Sequence, residues 1–184
     1  MLIEEVNRIM HRILTEEVSL LEAVRKNYFH GTASVFDRFT RPGVGKHGLG
    51  FYFTPDENEA RHFAKTLYGA NETERKPRVF KVELKVSRPF ETMNVEHANE
   101  VASHHGLKYR APRTAGGAKE HYNFLETQLR KAGVVSGPKD KSNFNEKIAE
   151  AGFDAIEYDL MKHLIVFNPD QIKIVGSYLL ADRG

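Results

Sequence analysis

The sequence predicts an α+β fold, because its two hydrophobic periodicities are segregated along the chain. Strand-like segments open the main body (Tyr28-Phe29, Gly48 to Thr54, Arg78 to Val86) and close it (Phe153 to Tyr158, Leu164 to Phe167, Ile172 to Leu180), while helical patterns gather between them. A doubly wound sheet would instead alternate the two. No internal repeat occurs, and 184 residues is a single-domain length able to bury a substantial core. With 40% hydrophobic and 28% charged residues the chain is globular rather than disordered.

Taken in order, Leu2, Val6, Ile9, Met10 and Ile13 recur at helical spacing, and Leu20, Leu21 and Val24 continue the stripe. Residues 1–27 therefore read as an N-terminal helical segment packed on the domain, divided at Thr15-Glu16-Glu17 if it forms two helices. Tyr28-Phe29 starts a strand, and Ser34 to Phe39 is extended or a turn. Arg41 to Gly48 is glycine-rich and predicts a flexible loop. In the next strand Tyr52 lies between Phe51 and Phe53, so alternation places it on the opposite sheet face from both. Asp56 to Tyr68 predicts a helix capped by Asp56, with Ala60, Phe63, Ala64 and Leu67 on one face. Arg78 to Val86 alternates cleanly, and Pro89 is expected to end that strand. Val95 to Gly106 and Lys119 to Ala132 predict helices separated by a loop over Arg110 to Gly117. Gly133 and Ser136-Gly137-Pro138 break the chain again, and Asn143 to Ala151 is a short helix that Gly152 terminates.

Composition excludes several chemistries. Lysine and arginine number 27 against 25 aspartates and glutamates, a net charge of +2, so no strong basic field implies a nucleic-acid partner. Zero cysteines exclude disulfides, thiolate-bound zinc and a thiol nucleophile. No run of about 18 apolar residues could span a bilayer. Glu4 and Glu5 stand where a secretory leader would be basic and then apolar. The expectation is a soluble cytoplasmic domain with no membrane partner. His62, His97, His104, His105 and His121 lack metal-ligand spacing. Adjacent His104 and His105 would point about 100° apart on a helix. No metal site is expected, and no Gly-x-Ser-x-Gly elbow supports a hydrolase triad.

Two motifs carry the chemistry: Phe29-His30-Gly31-Thr32, and Gly48-Leu49-Gly50-Phe51-Tyr52-Phe53-Thr54. Gly31 has no Cβ to keep a ligand away from the backbone. His30 and Thr32 flank it with a ring nitrogen and a hydroxyl, and Tyr52 supplies a flat ring. Together they read as a pocket for a polar, planar, ribose-bearing molecule. Alone, His30 reads as a core histidine; Tyr52 reads as a stacking ring against the alternative of a half-exposed strand tyrosine. Gly43-x-Gly45 and Gly48-x-Gly50 are no Rossmann fingerprint, since no helix follows directly. Arg41, Lys46 and His47 are either pyrophosphate contacts or ordinary loop charges.

These motifs resemble the ADP-ribosyltransferases of the diphtheria-toxin and poly(ADP-ribose) polymerase type, which share a His–Tyr–Glu pattern. The chain is especially similar to the small ADP-ribosyltransferase-like domains of phage and bacterial multidomain proteins. Glu59-Ala60-Arg61-His62-Phe63-Ala64, Gly152-Phe153-Asp154-Ala155-Ile156 and the run from Leu164 to Lys173 extend the likeness from about Tyr28 to Val175. The resemblance implies a split β-sheet core over residues 28–184, with an N-terminal helix and a helical insertion at about 95–141. It implies NAD as co-substrate and no metal. His30 would then bond a ribose of NAD, Gly31 would hold the nicotinamide carboxamide through its backbone, and Thr32 would help position the dinucleotide. Tyr52 would stack on the nicotinamide. Phe63 falls where many members carry a second stacking ring, or else is core.

The third family residue, a glutamate opening the strand Leu164-Ile165-Val166-Phe167, corresponds here to His163. Cleaving the nicotinamide–ribose bond builds positive charge on the sugar, which a carboxylate stabilises. Three outcomes stay open: His163 serves as a neutral acceptor, Glu157 or Asp159 substitutes, or catalysis is lost and only binding remains. The function implied is NAD-dependent mono-ADP-ribosyl transfer with His30, Tyr52 and His163 as catalytic residues. A protein acceptor is favoured over a nucleic acid, with contacts from His97 to Lys141, in a toxin or a phage protein that modifies host machinery. The alternatives are a catalytically silent NAD- or ADP-ribose-binding or interaction module on the same fold, and an NAD glycohydrolase.

Overall fold

The computed structural model describes residues 27–34, 36–40, 42–45, 48–66, 76–112, 119–137, 143–158 and 162–180. The N-terminal helical segment expected over residues 1–27 lies outside them except for Asn27, which begins a strand; so do the pyrophosphate candidates Arg41, Lys46 and His47, the helix-face residue Leu67 and the carboxylate candidate Asp159.

The described chain forms β1 (Asn27–Thr32), β2 (Gly43–Gly45), β3 (Gly48–Phe53), α1 (Glu57–Thr66), β4 (Arg78–Leu84), β5 (Pro89–Glu91) and α2 (Val95–His104). There follow α3 (Lys119–Lys131), α4 (Phe144–Glu150), β6 (Ala155–Tyr158), β7 (His163–Val166), a 3-10 turn (Pro169–Gln171) and β8 (Ile172–Leu179). The fold is α+β. One sheet has the order β1-β4-β8, the other β2-β3-β7-β6-β5. All pairings are antiparallel except that of β5 with β6. An isolated bridge between Phe29 and Thr54 joins the two sheets.

Strand alternation sorts the aromatic residues into layers. Tyr28, Phe39, Phe51, Phe53, Phe80, Val82, Leu164 and Val166 fill one core, to which both sheets contribute. On the other face of the larger sheet, Ile156 and Ile165 pack with Val101, Leu125, Leu129, Phe144 and Ile148 from the helices. Tyr52 packs against this second cluster, opposite Phe51 and Phe53 as its position in the strand requires. The helical region predicted as an insertion therefore supplies a main core through α2 and α3.

Local chemistry explains where the elements begin and end. Asp56 precedes α1 and its carboxylate accepts from the Asn58 N–H at 2.8 Å. The Asn94 side chain accepts from the N–H groups of Glu96 and His97 at the start of α2. Gly152 follows α4 with φ +90, a conformation that side chains with a Cβ rarely adopt. Asp154 accepts from both the N–H and the hydroxyl of Ser87, each at 2.7 Å, and from the Arg88 N–H at 2.9 Å. These bonds tie the corner after β4 to the start of β6.

Three readings are corrected. The glycine-rich stretch is not wholly a flexible loop, since residues Gly43–Gly45 pair with β3 as the short strand β2. Pro89 does not merely end a strand but opens β5, an edge strand that tolerates a residue without an N–H. Phe63 does not join Ala60 and Ala64 in the core: it is 42% exposed, while they are buried.

Candidate functional site

The site lies where β1 and β3 diverge. At the bridge the Phe29 N–H donates to the Thr54 carbonyl at 2.8 Å, and the Thr54 N–H donates back at 3.0 Å. Backbone groups alternate between the two edges of an antiparallel strand. The N–H and C=O of Gly31 therefore face the same edge as those of Phe29, just beyond the last bond to β3. Why this residue is glycine has a different answer from the one expected. A Cβ on Gly31 would stand 1.7 Å from the Ala60 carbonyl oxygen and 2.9 Å from the Ala64 nitrogen. The close approach is made by helix α1, whose small residues Ala60 and Ala64 pack there, and not by a ligand on that side.

His30 links the two sheets. Its Nδ1 donates to the Tyr52 carbonyl at 2.8 Å, which places the proton on that nitrogen and leaves Nε2 as an acceptor when the ring is neutral. Phe36, Phe39, Phe53 and Phe80 surround the ring at centroid distances of 5.2 to 6.5 Å. Burial lowers the His30 pKa, opposed by the bond to Tyr52. The ring thus sits on the Phe53 side of β3, whereas the Tyr52 ring lies on the other. The pair meets through a backbone carbonyl, not ring to ring. Thr32 is buried, and its hydroxyl accepts from the Ser34 N–H at 3.0 Å, shaping the turn after β1.

On the face of β3 and β7 that carries Ile165 the structure places Tyr52 and His163 together. Tyr52 pairs with Ile165, which puts its ring on the same face as His163, two residues earlier in β7. The Tyr52 hydroxyl donates to the Gly48 carbonyl at 2.6 Å, fixing the ring along its own strand. His163 Nε2 lies 2.7 Å from Oε2 of Glu59, a residue of α1. The Thr54 hydroxyl donates to the same oxygen at 2.6 Å and accepts from the Asp56 N–H at 3.1 Å. Glu59 and Phe63 stand four residues apart on α1 and so share a helix face. Glu157 pairs with Leu164, which puts it on the opposite sheet face from His163. It lies instead near Tyr28, whose pKa is pushed up to about 12, chiefly by burial and further by the Glu157 charge.

Glu59 was not among the residues singled out from sequence. The available signal was its place four residues before Phe63, within a motif otherwise read only for Phe63 and the packing alanines. The assembled surface offers an exposed aromatic ring, a second fixed ring, a strand edge and a hydrogen-bonded carboxylate–imidazole pair. Such groups can hold a flat heterocycle and place negative charge beside a developing cation. A separate hollow of about 470 Å³, lined by Arg38, Phe39, Asp170, Ile172 and Ile174 among others, opens beside the His30 cage rather than beside Glu59. Among the described residues no group of three or more His, Cys, Asp or Glu could hold a metal ion. None of the described helices is long and apolar enough to cross a membrane.

Comparison with known proteins identifies the family of the chain. The family model described as ADP-ribosyltransferase in polyvalent proteins matches residues 24–177. Neither the curated proteins nor the solved structures compared with the chain give a match. The matched span contains every described strand except the last residues of β8, and all of the candidate site. The chain belongs to the family of ADP-ribosyltransferases found in polyvalent proteins.

Proposed function

We propose that this domain is an NAD-dependent mono-ADP-ribosyltransferase of the His–Tyr–Glu type, transferring ADP-ribose to a protein acceptor with release of nicotinamide. The observation that supports the reading is that Tyr52 and His163 share one face of the β3–β7 pair, with His163 bonded to Glu59 of α1 one turn before Phe63. In this reading Tyr52 and Phe63 flank the nicotinamide, and the Gly31 N–H and C=O meet its carboxamide. His30 holds the β1–β3 junction through the Tyr52 carbonyl, and in this reading its Nε2 is the acceptor for a ribose hydroxyl. Thr32 acts through the turn it stabilises. His163 stands where the wider family carries a glutamate, which favours single transfer over polymer extension.

Incubation of the full chain with NAD and candidate acceptor proteins tests the proposal, reading free nicotinamide and the mass of every protein present. The transferase reading requires nicotinamide release together with one ADP-ribose added to each modified site. Nicotinamide with free ADP-ribose and no adduct would identify a glycohydrolase. The silent-module alternative, which the replacement of the glutamate favours, requires that NAD raise the melting temperature without being consumed.

A further inference from the structure

We propose that Glu59 is the catalytic carboxylate of this site, and that His163 and Thr54 are positioning residues that hold it. This rests on the transferase reading and supplies what that reading lacks: a negative charge for the reaction. The carboxylate comes not from β7 but from α1, across the sheet edge. Its Oε2 is engaged twice, by His163 Nε2 at 2.7 Å and by the Thr54 hydroxyl at 2.6 Å. Thr54 is itself buried and fixed from the other side by the Asp56 N–H. Two bonds to one oxygen orient the plane of the carboxylate and leave Oε1, to which no described group bonds. The Glu59 side chain is 23% exposed and that of His163 is 24%, so the pair is reached from outside yet largely shielded. Phe63, on the same face of α1, gives that approach an aromatic wall.

The chemistry needs this arrangement. The C1′–N bond between ribose and nicotinamide breaks with its electron pair leaving on the nicotinamide nitrogen, which becomes neutral. Positive charge then develops on C1′ and the ring oxygen, as in glycoside cleavage generally. An acceptor oxygen or nitrogen attacks C1′, forms the new bond and loses its proton to solvent. A neutral imidazole contributes no charge to stabilise the cation, whereas an imidazole hydrogen-bonded to a carboxylate contributes one negative charge as a unit. Oε1 of Glu59 is the acceptor available for a ribose hydroxyl. His163 at the start of β7 thus keeps a carboxylate at this position without being one.

The placement changes what a substitution at His163 should do. Glutamate introduced there alone would face Glu59 at hydrogen-bond distance, and two carboxylates so close cannot both ionise. The test measures kcat and KM for nicotinamide release with the full chain, alongside the rise in melting temperature caused by NAD. Glu59→Gln should lower kcat about 100-fold or more, the scale of a lost electrostatic stabiliser, while keeping the NAD-induced melting shift. The double variant Glu59→Gln with His163→Glu, which restores one carboxylate beside one amide, should recover to within about tenfold of wild type, a tenfold difference being about 1.4 kcal/mol. Wild-type kcat in Glu59→Gln, or a folded double variant as inactive as Glu59→Gln, would overturn the assignment of Glu59. A wild-type protein that releases no nicotinamide would instead overturn the transferase reading, and this assignment with it.

Discussion

His30 shows how one side chain serves both architecture and chemistry. Its proton is committed to the Tyr52 carbonyl, and its ring is enclosed by phenylalanines. Burial lowers its pKa in the folded state below the unfolded value of about 6.5. Below that value the unfolded chain binds the proton more readily than the native one. The stabilisation is therefore complete above about pH 6.5 and is lost as pH falls toward the folded-state pKa. Thermal melts from pH 7.5 to 5 should show a steeper acid decline for wild type than for His30→Phe; parallel curves would contradict the burial argument. Gly31 makes a steric claim at the same scale. Gly31→Ala drives a Cβ into the backbone of α1 and should destabilise by about 3 kcal/mol, the upper range for overpacking. Gly176→Ala faces open space in β8 and should change stability by about 0.5 kcal/mol or less. Equal denaturation midpoints for the two variants would refute the close contact. The same geometry means that a bulky residue at Gly31 perturbs folding and cannot by itself report on NAD binding.

At the scale of elements, the β2–β3 hairpin is held on the helical layer by one buried amide. Asn145 Nδ2 donates to the Leu49 carbonyl and its Oδ1 accepts from the Tyr122 hydroxyl, each at 2.8 Å. Burial, with the charge of Glu126 adding to it, raises the Tyr122 pKa and keeps that hydroxyl a donor. Asn145→Leu takes this partner from the part-buried Leu49 carbonyl and the buried Tyr122 hydroxyl and should cost about 2 kcal/mol. Adding Tyr122→Phe removes the other end of one of these bonds, so the double variant should be less destabilised than the sum of the singles; strict additivity in urea denaturation would show that the bond carries no coupling. Element boundaries also show what was legible in the sequence. The alternating Arg78 to Val86 run, the helix that Asp56 caps and the helix that begins at Val95 follow from local chemistry and appear nearly as expected. Strands β2 and β5 do not, because each is three residues long and exists by pairing with a distant or glycine-rich neighbour. Phe63 repeats at core spacing yet is exposed, since the alanines beside it let β1 approach α1 and leave the phenylalanine at the rim.

Among the described residues, two sheets are joined at one bridge, with α1 packed across the junction and the other helices on the far face of the larger sheet. That arrangement brings residues far apart in sequence to one place: His163 and Glu59 are 104 positions apart. That Tyr52 and His163 share a sheet face follows from strand register, which strand motifs carry in themselves. Sequence reading missed Glu59 because nothing local says that α1 presents that carboxylate to β7. It also assigned Gly31 to ligand approach when helix packing explains the missing side chain. The central claim is that this junction cleaves NAD. Nicotinamide release should therefore be measured with purified full chain at millimolar NAD, for wild type and Tyr52→Ala, each checked for a native melting transition. The account predicts nicotinamide that accumulates in proportion to wild-type protein and falls at least tenfold in Tyr52→Ala. A folded wild-type protein that leaves NAD intact, or a Tyr52→Ala protein that releases nicotinamide at the wild-type rate, would contradict it.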